Sequence, residues 1–88
     1  LVAEKANISK KDAEKAVQYY TEAANKGVVL AASTLGDRYS YGEGVKKDFA
    51  EAVKWYAVAA DAGNEWAQNK LANCYYYGDG VEQDEAKA

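Results

Sequence analysis

The chain has 88 residues, of which 49% are hydrophobic and 28% charged, and its formal net charge is −3. That composition is globular rather than disordered, and a domain of this size hides only about two-thirds of its unfolded surface, so its core is thin. The acidic balance argues against nucleic acid and anionic membranes as partners, since both need clustered Lys and Arg.

No apolar run approaches the ~20 residues of a membrane span. The stretch Leu1–Lys11 is mixed and charged, without a signal-peptide apolar segment, and it lacks an initiator Met, as expected of a processed or excised segment. The single cysteine, Cys74, excludes an internal disulfide and a Cys-based zinc site, and leaves the compartment open. Pro and His are absent, while eight Tyr and two Trp supply large side chains for Ala and Gly to pack against. That mixture suits closely packed helices.

Shifting the chain by 36 residues lays it onto itself. Of the 43 pairs from Lys10 to Ala52, 19 are identical, with no insertion. Asp12, Ala16, Val17, Tyr20, Ala23, Ala24 and Gly27 meet Asp48, Ala52, Val53, Tyr56, Ala59, Ala60 and Gly63. Ala31, Leu35, Tyr39 and Tyr41 meet Ala67, Leu71, Tyr75 and Tyr77, and Gly42, Gly44 and Val45 meet Gly78, Gly80 and Val81. A repeat of this length is a two-helix unit.

In chain order, the first expected helix covers Lys11–Lys26 after a lead-in over 1–11. It is the second helix of an incomplete unit, 12–27. The complete unit, 28–63, opens with a helix over Leu30–Tyr41, in which Ala31, Leu35 and Tyr39 recur at helical spacing. Gly42 stands where a left-handed residue ends a helix, and Gly44 gives a second permissive position. Val45, the only apolar residue of that loop, should turn inward as a plug, as should Ile8 before the first helix.

Asp48 is the expected N-cap of the next helix, with Glu51 completing a capping-box pattern, and Asp12 and Asp84 are the expected caps of theirs. That helix should bury Ala52, Trp55, Tyr56, Ala59 and Ala60, and Gly63 should stop it near Ala62. The truncated unit, 64–88, supplies a helix over Glu65–Tyr77, the Gly78–Gly80 loop and a first turn over Asp84–Ala88.

The run Ala31, Leu35-Gly36, Tyr39, Gly42-x-Gly44-Val45, Asp48, Ala52, Trp55-Tyr56, Ala59-Ala60 and Gly63 resembles the Sel1-like repeat, a relative of tetratricopeptide repeats. The match covers residues 12–88, with Ala72 in place of the helix glycine and Tyr19 in place of the Trp. The resemblance implies an all-α, right-handed α/α superhelix of antiparallel helix pairs. It implies an adaptor or scaffold role, as in bacterial host-interaction proteins and in eukaryotic membrane-protein degradation and signalling. A secreted branch carries a disulfide in each repeat, and Cys74 alone does not fit it.

Catalytic chemistry is hard to build from these residues. Without His there is no Ser-His-Asp or Cys-His pair. Gly42–Lys47 lacks the spacing of a phosphate loop and does not follow a strand. Cys74 reads as a buried or half-buried thiol, with only Lys70 nearby to activate it. No cofactor or metal is expected.

By analogy with tetratricopeptide arrays, the first helix of each unit lines the concave face. At 100° per residue, Leu30, Thr34, Asp37 and Tyr41 lie opposite the core arc, with Ser33 and Arg38 at the edges. The matching stripe is Trp66, Lys70, Asn73 and Tyr77, with Asn69 and Cys74 at the edges, and the two stripes should lie side by side. Trp66 either packs on Leu30 or a crossing helix, or anchors a partner. Tyr41 and Tyr77 either cover the turns or bind.

The mixed charges point to a peptide or protein held by hydrogen bonds and aromatic contacts. The alternative is an envelope module that stacks peptidoglycan or glycan fragments on its aromatics. Two and a fraction units without polar caps imply a fragment of a longer array, or ends that pair with another copy.

Overall fold

The computed structural model describes residues 9–81. It holds four α-helices: α1 Lys10–Asn25, α2 Val29–Tyr41, α3 Phe49–Asp61 and α4 Glu65–Tyr77. Among the described residues there is no β-strand. Each helix packs on its neighbours in sequence, most extensively α2 on α3, and α2 also touches α4.

The two kinds of connection have different causes. Between α1 and α2, and between α3 and α4, the chain turns within three residues around Gly27 (φ 95°) and Gly63 (φ 93°). After α2 and α4 the longer loops begin at Gly42 (φ 70°) and Gly78 (φ 73°), both left-handed. The N–H groups of Gly42 and Glu43 both donate to the Arg38 carbonyl, and those of Gly78 and Asp79 to the Cys74 carbonyl. A last-turn carbonyl that the helix leaves unpaired is thereby satisfied. Val45 then turns inward and packs against the core.

The second glycine of each long loop lies against the backbone of an earlier helix start. A Cβ on Gly44 would run into the Ala13 carbonyl, and one on Gly80 into the Phe49 carbonyl and the Ala50 nitrogen. Both glycines also have positive φ, 78° and 77°. The same contact thus recurs one 36-residue unit later.

Ala52, Ala59, Ala67 and Leu35 are fully buried, with Tyr56, Ala32, Ala31, Val17, Ala24 and Cys74 beside them. Tyr56 and Leu35 are the largest of these, and burying each is worth roughly 1.5–3 kcal/mol. Trp55 and Ala60, expected inside, are only partly buried, at the rim of that core.

The capping differs from expectation in two places. The N-cap of α1 is Ser9, whose Oγ accepts from the Asp12 N–H at 3.1 Å. The helix therefore starts at Lys10, and Asp12 lies in its first turn, where a carboxylate complements the helix dipole. A nearby serine offered the cap three residues earlier, and the periodicity did not reveal it.

Asp48 does cap α3, accepting from the Glu51 N–H at 3.2 Å. The box is not reciprocal, because the Asp48 N–H donates to the Tyr39 carbonyl at 2.9 Å and ties the loop to α2. The Glu51 carboxylate lies 3.6 Å from Lys54 Nζ instead. Asn64 caps α4, its Oδ1 accepting from the Ala67 N–H at 2.8 Å. Ile8 and the Asp84–Ala88 turn lie outside the described residues.

Candidate functional site

The helices α2 and α4 occupy the same place in consecutive units, and side chains 29 residues apart meet across them. Asp37 is the hub. It accepts from the Tyr56 hydroxyl at 2.5 Å and from Trp66 Nε1, which is 3.1 Å from both carboxylate oxygens. Ser40 Oγ donates to the Tyr56 hydroxyl at 3.3 Å. Burial, and then the Asp37 carboxylate, push the Tyr56 phenol far above its usual value, so it stays protonated and donates.

One turn along, Lys70 bridges the same two helices. Its Nζ lies 3.3 Å from the Tyr41 hydroxyl, 4.7 Å above the Trp66 ring and 5.8 Å from the centre of the Tyr41 ring. The ammonium over two π-faces is a cation–π arrangement. Trp66 is thus held at its N–H and over its ring, while half of its surface stays exposed (51%).

The two stripes read from the sequence do lie side by side, joined by Asp37–Trp66 and Tyr41–Lys70. Leu30, Tyr41 and Tyr77 are largely exposed, and so is Asn73. Tyr77 stands edge-on to Tyr76, ring centres 5.0 Å apart. The Thr34 hydroxyl donates to its own helix at the Leu30 carbonyl, 2.9 Å away.

Arg38 points elsewhere. Its guanidinium lies 5.7 Å from the centre of the Tyr20 ring on α1 and pairs with Glu43 at 3.1 Å. Of the edge positions, Ser33 is buried and donates to the Leu30 carbonyl, Asn69 is exposed, and Cys74 is buried. Burial pushes the Cys74 thiol upward in pKa, and Asp79 adds to that.

Sequence reasoning missed Tyr56, which it placed in the core for its ring alone. The available signal was its hydroxyl, because a fully buried Tyr needs a polar partner. Asp37 is likewise more than a surface contact, since its oxygens brace groups of its own chain.

Among the described residues no three His, Cys, Asp or Glu side chains cluster as metal ligands, and no helix is long and apolar enough to cross a membrane.

A family model for the Sel1 repeat matches residues 6–28, 29–64 and 67–88. The chain is similar in structure to a protective antigen of uropathogenic Escherichia coli with an SLR fold, at TM-score 0.79 and 39% identity. That likeness covers 81% of this chain and 15% of the antigen. It is also similar to a Sel1 repeat protein from Oxalobacter formigenes, at TM-score 0.78 and 37% identity, over 81% of this chain and 29% of the other. The chain therefore spans less than a third of either relative. No protein of curated function matches it in sequence.

Proposed function

The chain belongs to the Sel1 repeat family, and from that premise we propose that it is a scaffold segment whose partner, a protein or peptide, lies along the face shared by α2 and α4. Sel1 repeats generally act as non-catalytic protein-interaction scaffolds. The observation that carries the reading here is Trp66, half exposed yet fixed by Asp37 and Lys70. A rigid exposed aromatic makes a strong interface anchor, because little side-chain freedom is lost on binding. Leu30, Tyr41 and Tyr77 add exposed apolar surface along the same two helices, and Lys70 and Asn73 supply donors.

The test uses peptides selected from a random display library against the chain. Trp66→Ala and Tyr41→Ala should each weaken the selected peptides by roughly tenfold or more, the loss of an interface hot spot. Tyr19→Ala removes an even more exposed aromatic on α1, outside this face, and should leave affinity unchanged. Equal losses at Tyr19 and Trp66 would place the binding surface elsewhere.

A further inference from the structure

A cleft of about 210 Å³ opens between the C-terminal ends of α2 and α4 and the start of α3, with Tyr56 and Cys74 among its lining residues. Repeat symmetry explains why it is there. Tyr56, Cys74 and Asp79 stand 36 residues after Tyr20, Arg38 and Glu43. In the earlier unit the Arg38 side chain lies over the Tyr20 ring and pairs with Glu43. In the later unit a cysteine stands in place of that arginine, so the guanidinium and its stem are missing.

The charges around the cleft select its occupant. Lys47 and Lys70 both line it, and among the described residues Asp79 is the only carboxylate that does. Lys47 Nζ sits 5.0 Å above the Phe49 ring, and Lys70 is held against Tyr41 and Trp66. Among the described residues neither lysine has a carboxylate within ion-pair distance. Counted over the described residues, the cleft is thus net positive in a chain whose net charge is −3, and Asn73 adds an amide donor. Its volume is below that of ordinary small-molecule pockets and suits one side chain.

We propose that this cleft receives an acidic side chain, glutamate or aspartate, from the peptide held on the α2–α4 face. The proposal rests on that face being the binding surface. The carboxylate would accept from the Lys47 and Lys70 ammoniums, and its methylene stem would fill the space that the missing arginine leaves.

The experiment offers the 88-residue chain two blocked peptide pools, N-acetylated and C-amidated, random except for a central Glu in one and a central Gln in the other. A third pool carries the central Gln and a free C-terminus. The Glu pool should be retained roughly tenfold over the blocked Gln pool, the worth of one hydrogen bond to a charged group. Cys74→Arg refills the cleft as Arg38 does in the earlier unit, and should abolish that preference while circular dichroism stays unchanged. If Cys74→Arg does not fold, the surface pair Lys47→Gln and Lys70→Gln serves in its place and should abolish the preference equally.

Equal retention of the two blocked pools, with retention still dependent on Trp66, overturns the acidic site and leaves the binding face standing. So does a Glu preference that survives the substitutions. Preference for the free C-terminus alone overturns the side-chain assignment. Retention of no pool sinks the face and the cleft together.

Discussion

The ring of Tyr56 fills the space that a Cβ on residue 36 would occupy. Gly36 is helical and fully enclosed, and a methyl group there would run into three atoms of that ring. Ala would gain about 1 kcal/mol of helix propensity over Gly, while overpacking a filled core costs about 1–3 kcal/mol. The second effect should win, because the Tyr56 ring is tethered by its hydroxyl to Asp37. Gly36→Ala should therefore lower the urea midpoint by the equivalent of roughly 1 kcal/mol. An unchanged or raised midpoint would mean that the ring slides away freely.

The bond from Tyr56 to Asp37 makes stability depend on alkaline pH. A phenol whose folded pKa is raised contributes stability fully below the unfolded value, here 10.0, and loses it as pH climbs toward the folded value. The wild-type melting temperature should fall above pH 10 more steeply than that of Tyr56→Phe. At pH 7 the Phe variant should be less stable by about 1–3 kcal/mol, the worth of a hydrogen bond to a charged group. Parallel melting curves from pH 8 to 11 would show that the phenol does not sense folding.

Asp37→Asn keeps the shape of the hub and removes its charge. Tyr56 and Trp66 would then share one neutral carbonyl oxygen in place of a carboxylate. The variant should lose about 1–2 kcal/mol, and Trp66, released from one anchor, should show lower fluorescence anisotropy. Stability lost with anisotropy unchanged would mean that Lys70 alone fixes the indole.

Gly44 and Gly63 separate two costs of adding a side chain. Both have positive φ, but a Cβ on Gly63 meets nothing within 4 Å, whereas one on Gly44 strikes the Ala13 backbone. Gly63→Ala should cost about 1–2 kcal/mol from backbone strain alone. Gly44→Ala should cost more, because α1 must also move. Equal losses in chemical denaturation would mean that the loop lifts off α1 without penalty.

The Cys74 thiol is buried and its pKa is raised. Native protein at pH 8 should react with an aromatic disulfide reagent much more slowly than unfolded protein, since thiolate is the reacting form. Reaction at the unfolded rate would show that the end of α4 opens readily.

Much of this architecture was legible in the 36-residue self-match. The expected start and end of α4, Glu65 and Tyr77, are the observed ones, and so is the end of α2 at Tyr41, because each of these helices ends on a glycine at fixed spacing; only the start of α2 differs, by one residue. The wheel also placed Asp37, Tyr41, Trp66 and Lys70 on stripes expected to lie side by side. It did not show what they do to one another. A wheel describes one helix, whereas Asp37 meets Trp66 29 residues away and Tyr56 19 residues away. For the same reason Arg38 read as an edge of the stripe, although its long stem reaches back to Tyr20. The Ser9 cap stayed hidden because the stretch before Asp12 lacks the two-glycine loop that marks the other boundaries.

The meeting of Gly44 with Ala13, and of Gly80 with Phe49, has a consequence for how such arrays diversify. The step from one hairpin to the next is gauged main chain against main chain, at points with no side chain to vary. Mutation on the helix faces can then change what is recognised without altering the rise or turn of the coil. Additional hairpins would extend the same ruler, so recognition surfaces along it could differ freely in chemistry while keeping a constant interval.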